Sequence, residues 1–321
     1  MEGELLTDAR RRGMASAMNG SRFSHLRPMD FGEILDTTIH VLKTGWKPLL
    51  LSGLLGAIPM IIYSGLANML LPTSINSAEP DSSWFVRAVI NADAGNFTDL
   101  TEMGGLFVAI MLVSLLLDLW LQAAIVVAAS RTYLGLPVTL GSSLAEAGRR
   151  YPALLGTGLL IVLFGILAAI GLVIGGLVFL AFLTVPIGMG ALAVYASFTI
   201  PALVIERADG GTAPIRRSFR LVSGRFWPLL GLAIVFAFFA GALSSQVQFI
   251  TQLPLQWAIT FGWTAGAAPI LGWVLAVVTG LISSFITPLT YTALTLAYYD
   301  TRMRKEGLDL EMMASSGAEP R

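Results

Sequence analysis

Asp118 is an ionisable side chain set among strongly apolar neighbours, Leu115-Leu116-Leu117-Asp118-Leu119-Trp120. A carboxyl group in such a place could take up a proton, a cation or a substrate. Helix-insertion scales put the cost of an acid at the bilayer centre at about 3 kcal/mol, so it should face the bundle or a wet cavity. The competing reading is an acid kept protonated by burial and hydrogen-bonded to a Ser, Thr or Gln such as Gln122, one turn on. Glu33, Asp36 and His40 could form a cytoplasmic cation or partner site, although helix capping and solvated charge account for them equally well. Glu206 has Arg207, Arg216 and Arg217 nearby, which favours an intramolecular ion pair over catalysis. Arg216, Arg217 and Arg220 are candidates for binding anionic lipid headgroups, and simple topological bias explains them too.

Covalent chemistry has little to work with. There are no cysteines, which excludes disulfides and thiolate ligands. His25 and His40 both precede the first apolar run, so no serine in a span has a histidine to activate it. No nucleophile–base pair, phosphate-binding loop or metal-ligand cluster stands out. An enzyme is not expected, and neither a cofactor nor a metal is.

The elements that hold these residues are membrane helices. Tyr151–Ile205 and Phe226–Tyr299 contain no charged side chain at all. Crossing the hydrocarbon core takes roughly 20 apolar residues as a helix, so each stretch holds two crossings. Composition agrees, because 55% apolar and 12% charged residues lie far from soluble norms. A polar stretch precedes the first apolar run without a short hydrophobic segment and cleavage site, so a secretory signal is not expected. Six spans are predicted: Pro48–Leu71, Gly104–Ser130, Pro152–Leu183, Pro186–Ile205, Phe226–Ile250 and Ala268–Tyr299. Gly171, Gly175, Gly176, Pro186 and Gly188 all offer a break between the third and fourth, and the turn is placed near Thr184–Gly188. Pro59, Pro201 and Pro288 interrupt spans one, four and six, and broken helices can mark transport sites or be purely structural. Gly171–Gly175 and Gly262–Gly266 have the spacing of helix-contact motifs.

Basic residues set the orientation. Of the 20 Lys and Arg, all but Arg87 fall on one side of the predicted spans. The positive-inside rule then places both termini in the cytoplasm. The opposite loop carries Glu79, Asp81, Asp93, Asp99 and Glu102, and Asn96-Phe97-Thr98 there fits a glycosylation sequon that chance also produces.

Each odd-numbered span opens alike, with Trp46-Lys47-Pro48-Leu49-Leu50, Tyr151-Pro152-Ala153-Leu154-Leu155 and Phe226-Trp227-Pro228-Leu229-Leu230. Proline suits a helix's first turn, where its missing N–H is not needed. An amphipathic stretch precedes each opening. In the first, Phe31, Ile34, Leu35, Thr38, Ile39 and Leu42 share a face, Asp30 and Glu33 form a capping-box pattern, and Asp36 can reach His40. In the second, Leu140, Leu144, Ala147 and Tyr151 share a face, with Ser143 and Glu146 as a capping pair. In the third, Thr212 can cap, Ile215, Phe219, Val222 and Phe226 form the apolar stripe, and Arg216, Arg217 and Arg220 point away. The chain thus reads as a cytoplasmic tail (1–25), three units of interfacial helix plus hairpin (26–130, 131–205 and 206–305), and a second tail (306–321). The fold class is all-α: a polytopic integral membrane protein with six transmembrane helices and three cytoplasmic interfacial helices, arranged as a threefold internal repeat or merely sharing a common way into the membrane.

The segment Leu26-Arg27-Pro28-Met29-Asp30-Phe31-Gly32-Glu33-Ile34-Leu35-Asp36 resembles the opening of a family of bacterial polytopic proteins, named after the membrane domain fused to some glycerophosphodiester phosphodiesterases. Tyr133–Leu140, Pro201–Glu206 and Ile215–Trp227 are similar to the same pattern, and the likeness covers most of 26–300. It implies a bacterial inner-membrane protein. It does not imply phosphodiesterase activity, because the chain has no room for the soluble barrel that carries that reaction.

The expected function is a non-catalytic membrane component whose cytoplasmic helices contact anionic lipid and a partner, either another membrane protein or a second copy. No nucleic-acid partner is expected. The alternative is a small transporter or channel using Asp118 and the proline-broken helices.

Overall fold

Apolar runs of this length become helices because a helix satisfies every backbone N–H and C=O within its own segment, which the bilayer interior demands. The computed structural model describes residues 28–70, 98–175, 181–260 and 267–308. Glu79, Asp81, Asp93 and Asn96 lie outside them, as do the Gly262–Gly266 pair and residues 1–25 and 309–321. In chain order the helices are α1 (Phe31–Thr44), α2 (Trp46–Leu70), α3 (Thr98–Tyr133), α4 (Leu140–Arg149), α5 (Tyr151–Gly175), α6 (Ala181–Ala196), α7 (Thr199–Ile205), α8 (Thr212–Val222), α9 (Phe226–Thr260) and α10 (Ala267–Glu306). The described residues contain no strand. Among the described residues six segments are long and apolar enough to cross a membrane: Trp46–Leu66, Val108–Tyr133, Tyr151–Ile174, Thr184–Ile205, Phe226–Leu243 and Ile270–Glu306. By helix length and hydropathy the chain is a multi-pass membrane protein.

Two boundaries differ from expectation. Pro186 lies inside α6 and does not open it, so Thr184–Gly188 is helix and not the expected turn. Membrane helices tolerate a proline, because neighbouring groups can satisfy the carbonyl it frees. The fourth span is also split, into α6 and α7, at Ser197–Phe198. Pro201 causes the split from four residues away, because it cannot donate to the Ser197 carbonyl and its ring crowds it.

The short helices are capped, though not always by the expected residue. Glu33 accepts the Asp30 N–H at 3.0 Å, completing the expected box on α1. On α4 the box is formed by Thr139 and Ser142, not Ser143 and Glu146: Ser142 N–H donates to Thr139 Oγ1 at 3.2 Å and Thr139 N–H to Ser142 Oγ at 3.1 Å. Thr139 is extended, so it is the last residue before the helix, and Ser143 is already buried in the first turn. On α8 the N-cap is Gly211 at φ 78°, not Thr212. Only glycine adopts that conformation freely, and its N–H donates to Thr157 Oγ1 at 3.1 Å on α5.

Two compact units divide the chain: Met1–Leu49 with Ala123–Ile234 and Leu289–Arg321, and Leu50–Gln122 with Val235–Pro288. The first, the polar unit, holds α1, α4 to α8 and the charged end of α10. The second, the glycine unit, packs α2 against α3 and α10 through missing side chains. A Cβ on Gly53 would sit 2.1 Å from the Ser284 carbonyl, and one on Gly280 would sit 2.2 Å from Ile61 Cγ1. Small residues of this kind let membrane helices touch backbone to side chain. The expected Gly171 contact is absent, since a Cβ there would meet nothing within 4 Å among the described residues.

Candidate functional site

The C-terminal turns of α10 carry Asp300, Arg302, Arg304 and Glu306, and an α-helix sorts these into two faces. Asp300 with Arg304 and Arg302 with Glu306 are i, i+4 pairs, at Nε–O distances of 2.9 and 3.1 Å. Each pair recruits further partners in the polar unit.

The first network centres on Arg217 of α8. Its Nε and Nη2 donate to the two oxygens of Glu206, both at 2.8 Å. Nη1 and Nη2 of the same guanidinium donate to the oxygens of Glu306, the latter at 2.6 Å. A planar fork suits two carboxylates in this way. Arg302 Nε is 3.2 Å from Glu206 Oε1, and the Tyr298 hydroxyl donates to that same oxygen. Burial alone would make Arg217 give up its proton more easily, but hydrogen bonds to two carboxylates outweigh it and hold the pKa above the ordinary arginine value. Two carboxylates meet two guanidiniums, so the network is neutral overall.

The second network centres on Asp300, whose side chain is only 4% exposed. It accepts from Arg225 Nη1 at 2.9 Å, from Arg304 Nε at 2.9 Å and from the Met29 N–H at 2.8 Å. Arg304 Nη2 also donates to the Met29 carbonyl at 2.8 Å, so both polar groups of one backbone residue are held. The residue that leads into α1 is therefore tied to the end of α10. A buried carboxylate is tolerable when its lone pairs are filled like this.

These networks account for much of what the sequence singled out. Glu206 forms the ion pair expected of it, with Arg217, while Arg207 lies 3.9 Å from Glu146, the residue that Arg131 also pairs with. Asp36 and His40 are exposed, and among the described residues neither makes an ion pair or a hydrogen bond. Glu33 serves the α1 cap, whereas Glu206 pairs with Arg217. The three arginines of α8 separate: Arg217 turns inward, whereas Arg216 and Arg220 are exposed. The buried face of α8 is Pro214, Ser218, Leu221 and Val222, which puts Arg217 on its flank. Likewise α1 buries Ile34, Thr38 and Val41, leaving Phe31 and Ile39 exposed.

Ser218 was not anticipated. Its hydroxyl donates to the Tyr195 carbonyl at 2.6 Å and accepts the Phe198 N–H at 3.0 Å, bridging the break between α6 and α7. In the glycine unit, Asp118 accepts from Gln122 Nε2 at 2.6 Å, the partner foreseen for it. Its carboxylate faces Gly56, where a Cβ would lie 4.0 Å away. One turn from Gly56 on α2, Gly53 abuts Pro288 and the Ser284 carbonyl that Pro288 leaves without its helical donor. No three His, Cys, Asp or Glu side chains among the described residues are grouped as a metal site requires.

Of the missed residues, Asp300, Arg302, Arg304 and Glu306 carried a signal in the paired i, i+4 charges after Tyr299, whereas Arg225 lies far from them in the chain and carried none. Comparison with family models, with curated proteins and with solved structures found no match for the chain.

Proposed function

We propose that the protein is a non-catalytic membrane component that binds anionic lipid at its basic, cytoplasmic face through α8. One observation carries this reading. Arg217 is neutralised within the polar unit, whereas Arg216 and Arg220 remain exposed on the same amphipathic helix without an acidic partner among the described residues. Lys and Arg near an anionic membrane surface contribute about 1 kcal/mol each. The resemblance of the α1 and α8 segments implies a bacterial inner-membrane protein and carries no biochemical role of its own. The test is lipid retention by the purified protein, measured by mass spectrometry against a mixture of phosphatidylglycerol and phosphatidylcholine. The double variant Arg216→Gln, Arg220→Gln should lose its preference for the anionic lipid; an unchanged preference would overturn the proposal.

Transport is the second reading, supported by the place of Asp118 opposite Gly56, one turn from Gly53, which abuts Pro288 inside an α10 that the proline does not break. It predicts a pH-dependent flux in proteoliposomes that Asp118→Asn abolishes. Equal flux in the variant would remove that residue's role.

A further inference from the structure

Within the polar unit, α5, α6 and α8 line a half-open cavity of about 540 Å³. Ile161, Phe164 and Ala168 of α5 and Leu192 and Ala196 of α6 form its walls. Ile215 and Phe219 of α8 complete the lining, together with Thr212 and Arg216 of the same helix. The size falls in the range of roughly 300–1,000 Å³ typical of small-molecule sites. The lining is almost wholly hydrocarbon, and its two polar residues, Thr212 and Arg216, both belong to α8.

We propose that this cavity holds one acyl chain of a single anionic phospholipid, with the lipid phosphate at Arg216 and Thr212. Three observations select that occupant. The walls belong to segments apolar enough to lie in the bilayer, Tyr151–Ile174 and Thr184–Ile205, so what reaches them comes from the membrane. Neighbouring residues of α5 such as Leu159, Ile166 and Ile170 are exposed, as a lipid-facing helix requires, so the cavity opens among chains and not to water. Arg216, unlike Arg217, has no carboxylate partner among the described residues, so the charge at the mouth is free to complement a phosphate. Phe219 is held in place as the lid by stacking on Tyr195, whose ring also stacks on Phe226, with centroids 5.0 and 5.3 Å apart. The break at Ser197–Phe198, bridged by Ser218, fixes α8 to the end of α6 and so fixes the depth of the slot.

This inference rests on the lipid-binding reading and makes it specific: one lipid per chain, selected by a slot as well as by charge. The probe is phosphatidylglycerol bearing a photoactivatable diazirine on one acyl chain, added to the full-length protein in nanodiscs, with cross-linked peptides mapped by mass spectrometry. Labelling of Ile161, Phe164 and Leu192 should saturate at one lipid per chain, while labelling at Leu159, outside the cavity, should rise without saturating. Ala168→Phe, which fills the slot, should remove the saturating component. Arg216→Gln should weaken it about five-fold, the equivalent of one surface arginine. If Ala168→Phe fails to fold, Ala196→Leu fills the same slot with less bulk. Labelling inside the cavity that never saturates, or that survives both filling variants, would overturn the proposal. Equal saturation by a phosphatidylcholine probe would overturn the assignment of an anionic head. Loss of anionic preference in the Arg216→Gln, Arg220→Gln variant without any effect of filling would leave surface lipid binding standing and remove the slot. No effect of either set would remove both.

Discussion

The polar unit and the glycine unit hold themselves together by opposite means. In the polar unit, helix ends are joined by guanidinium–carboxylate contacts and by single hydroxyls placed against broken backbone. In the glycine unit, helices approach until a missing Cβ becomes the contact, as at Gly53 and Gly280. The difference follows from what each can draw on. Helix termini and interfacial helices bring unpaired carbonyls, N–H groups and charged side chains, and these must be satisfied once buried. Continuous apolar helices have few such groups, and lipid tails are as apolar as leucine, so close packing is most of what remains to favour one arrangement.

Substitutions can break this contrast. The largest effect is expected for Asp300→Ala, which leaves Arg225, Arg304 and the Met29 N–H without their acceptor. Stranding one side of a buried ion pair costs about 3–5 kcal/mol, to be read as an earlier midpoint in detergent-titrated unfolding. Limited proteolysis should also begin to cut near Met29. Gly53→Ala should follow, costing about 1–3 kcal/mol, as overpacking does. Gly280→Ala should cost less, because the Ile61 side chain can yield whereas the Ser284 carbonyl is backbone. Ser218→Ala should cost at least about 1 kcal/mol, since it orphans a buried N–H and a carbonyl. Hydrogen exchange at the Phe198 amide should rise with it. Arg216→Gln should leave stability within about 0.5 kcal/mol of the parent, as exposed substitutions do. An equal loss in Arg216→Gln and Arg217→Gln would erase the distinction drawn between those neighbours.

Much of the fold was legible because its cause is local. A stretch of uncharged residues long enough to cross a bilayer is a helix whatever surrounds it, so the six spans begin within a few residues of expectation, whereas the ends of the third, fifth and sixth lie further from it. The three aromatic–proline openings each begin a helix, at Trp46, Tyr151 and Phe226. The Asp30–Glu33 box formed because both its partners lie within one turn. The pairing of Asp118 with Gln122 was readable for the same reason.

What the sequence could not decide depends on which helix ends meet. Arg216, Arg217 and Arg220 are chemically equivalent in the chain, and only the arrival of Glu206 and Glu306 beside α8 neutralises one and leaves the other two outward. Asp300 reads as the first charge after a span until Arg225 and Met29 are brought to it from distant parts of the sequence. Thr139 and Gly211 took the capping positions because the loops before them set where helical geometry begins. Hydropathy and helical spacing act over one turn or one bilayer thickness, and the chain alone determines them. Ion pairs, the serine bridge at the α6–α7 break and the slot beneath Arg216 need side chains from separate helices at hydrogen-bond or van der Waals distance, and only the tertiary structure supplies that.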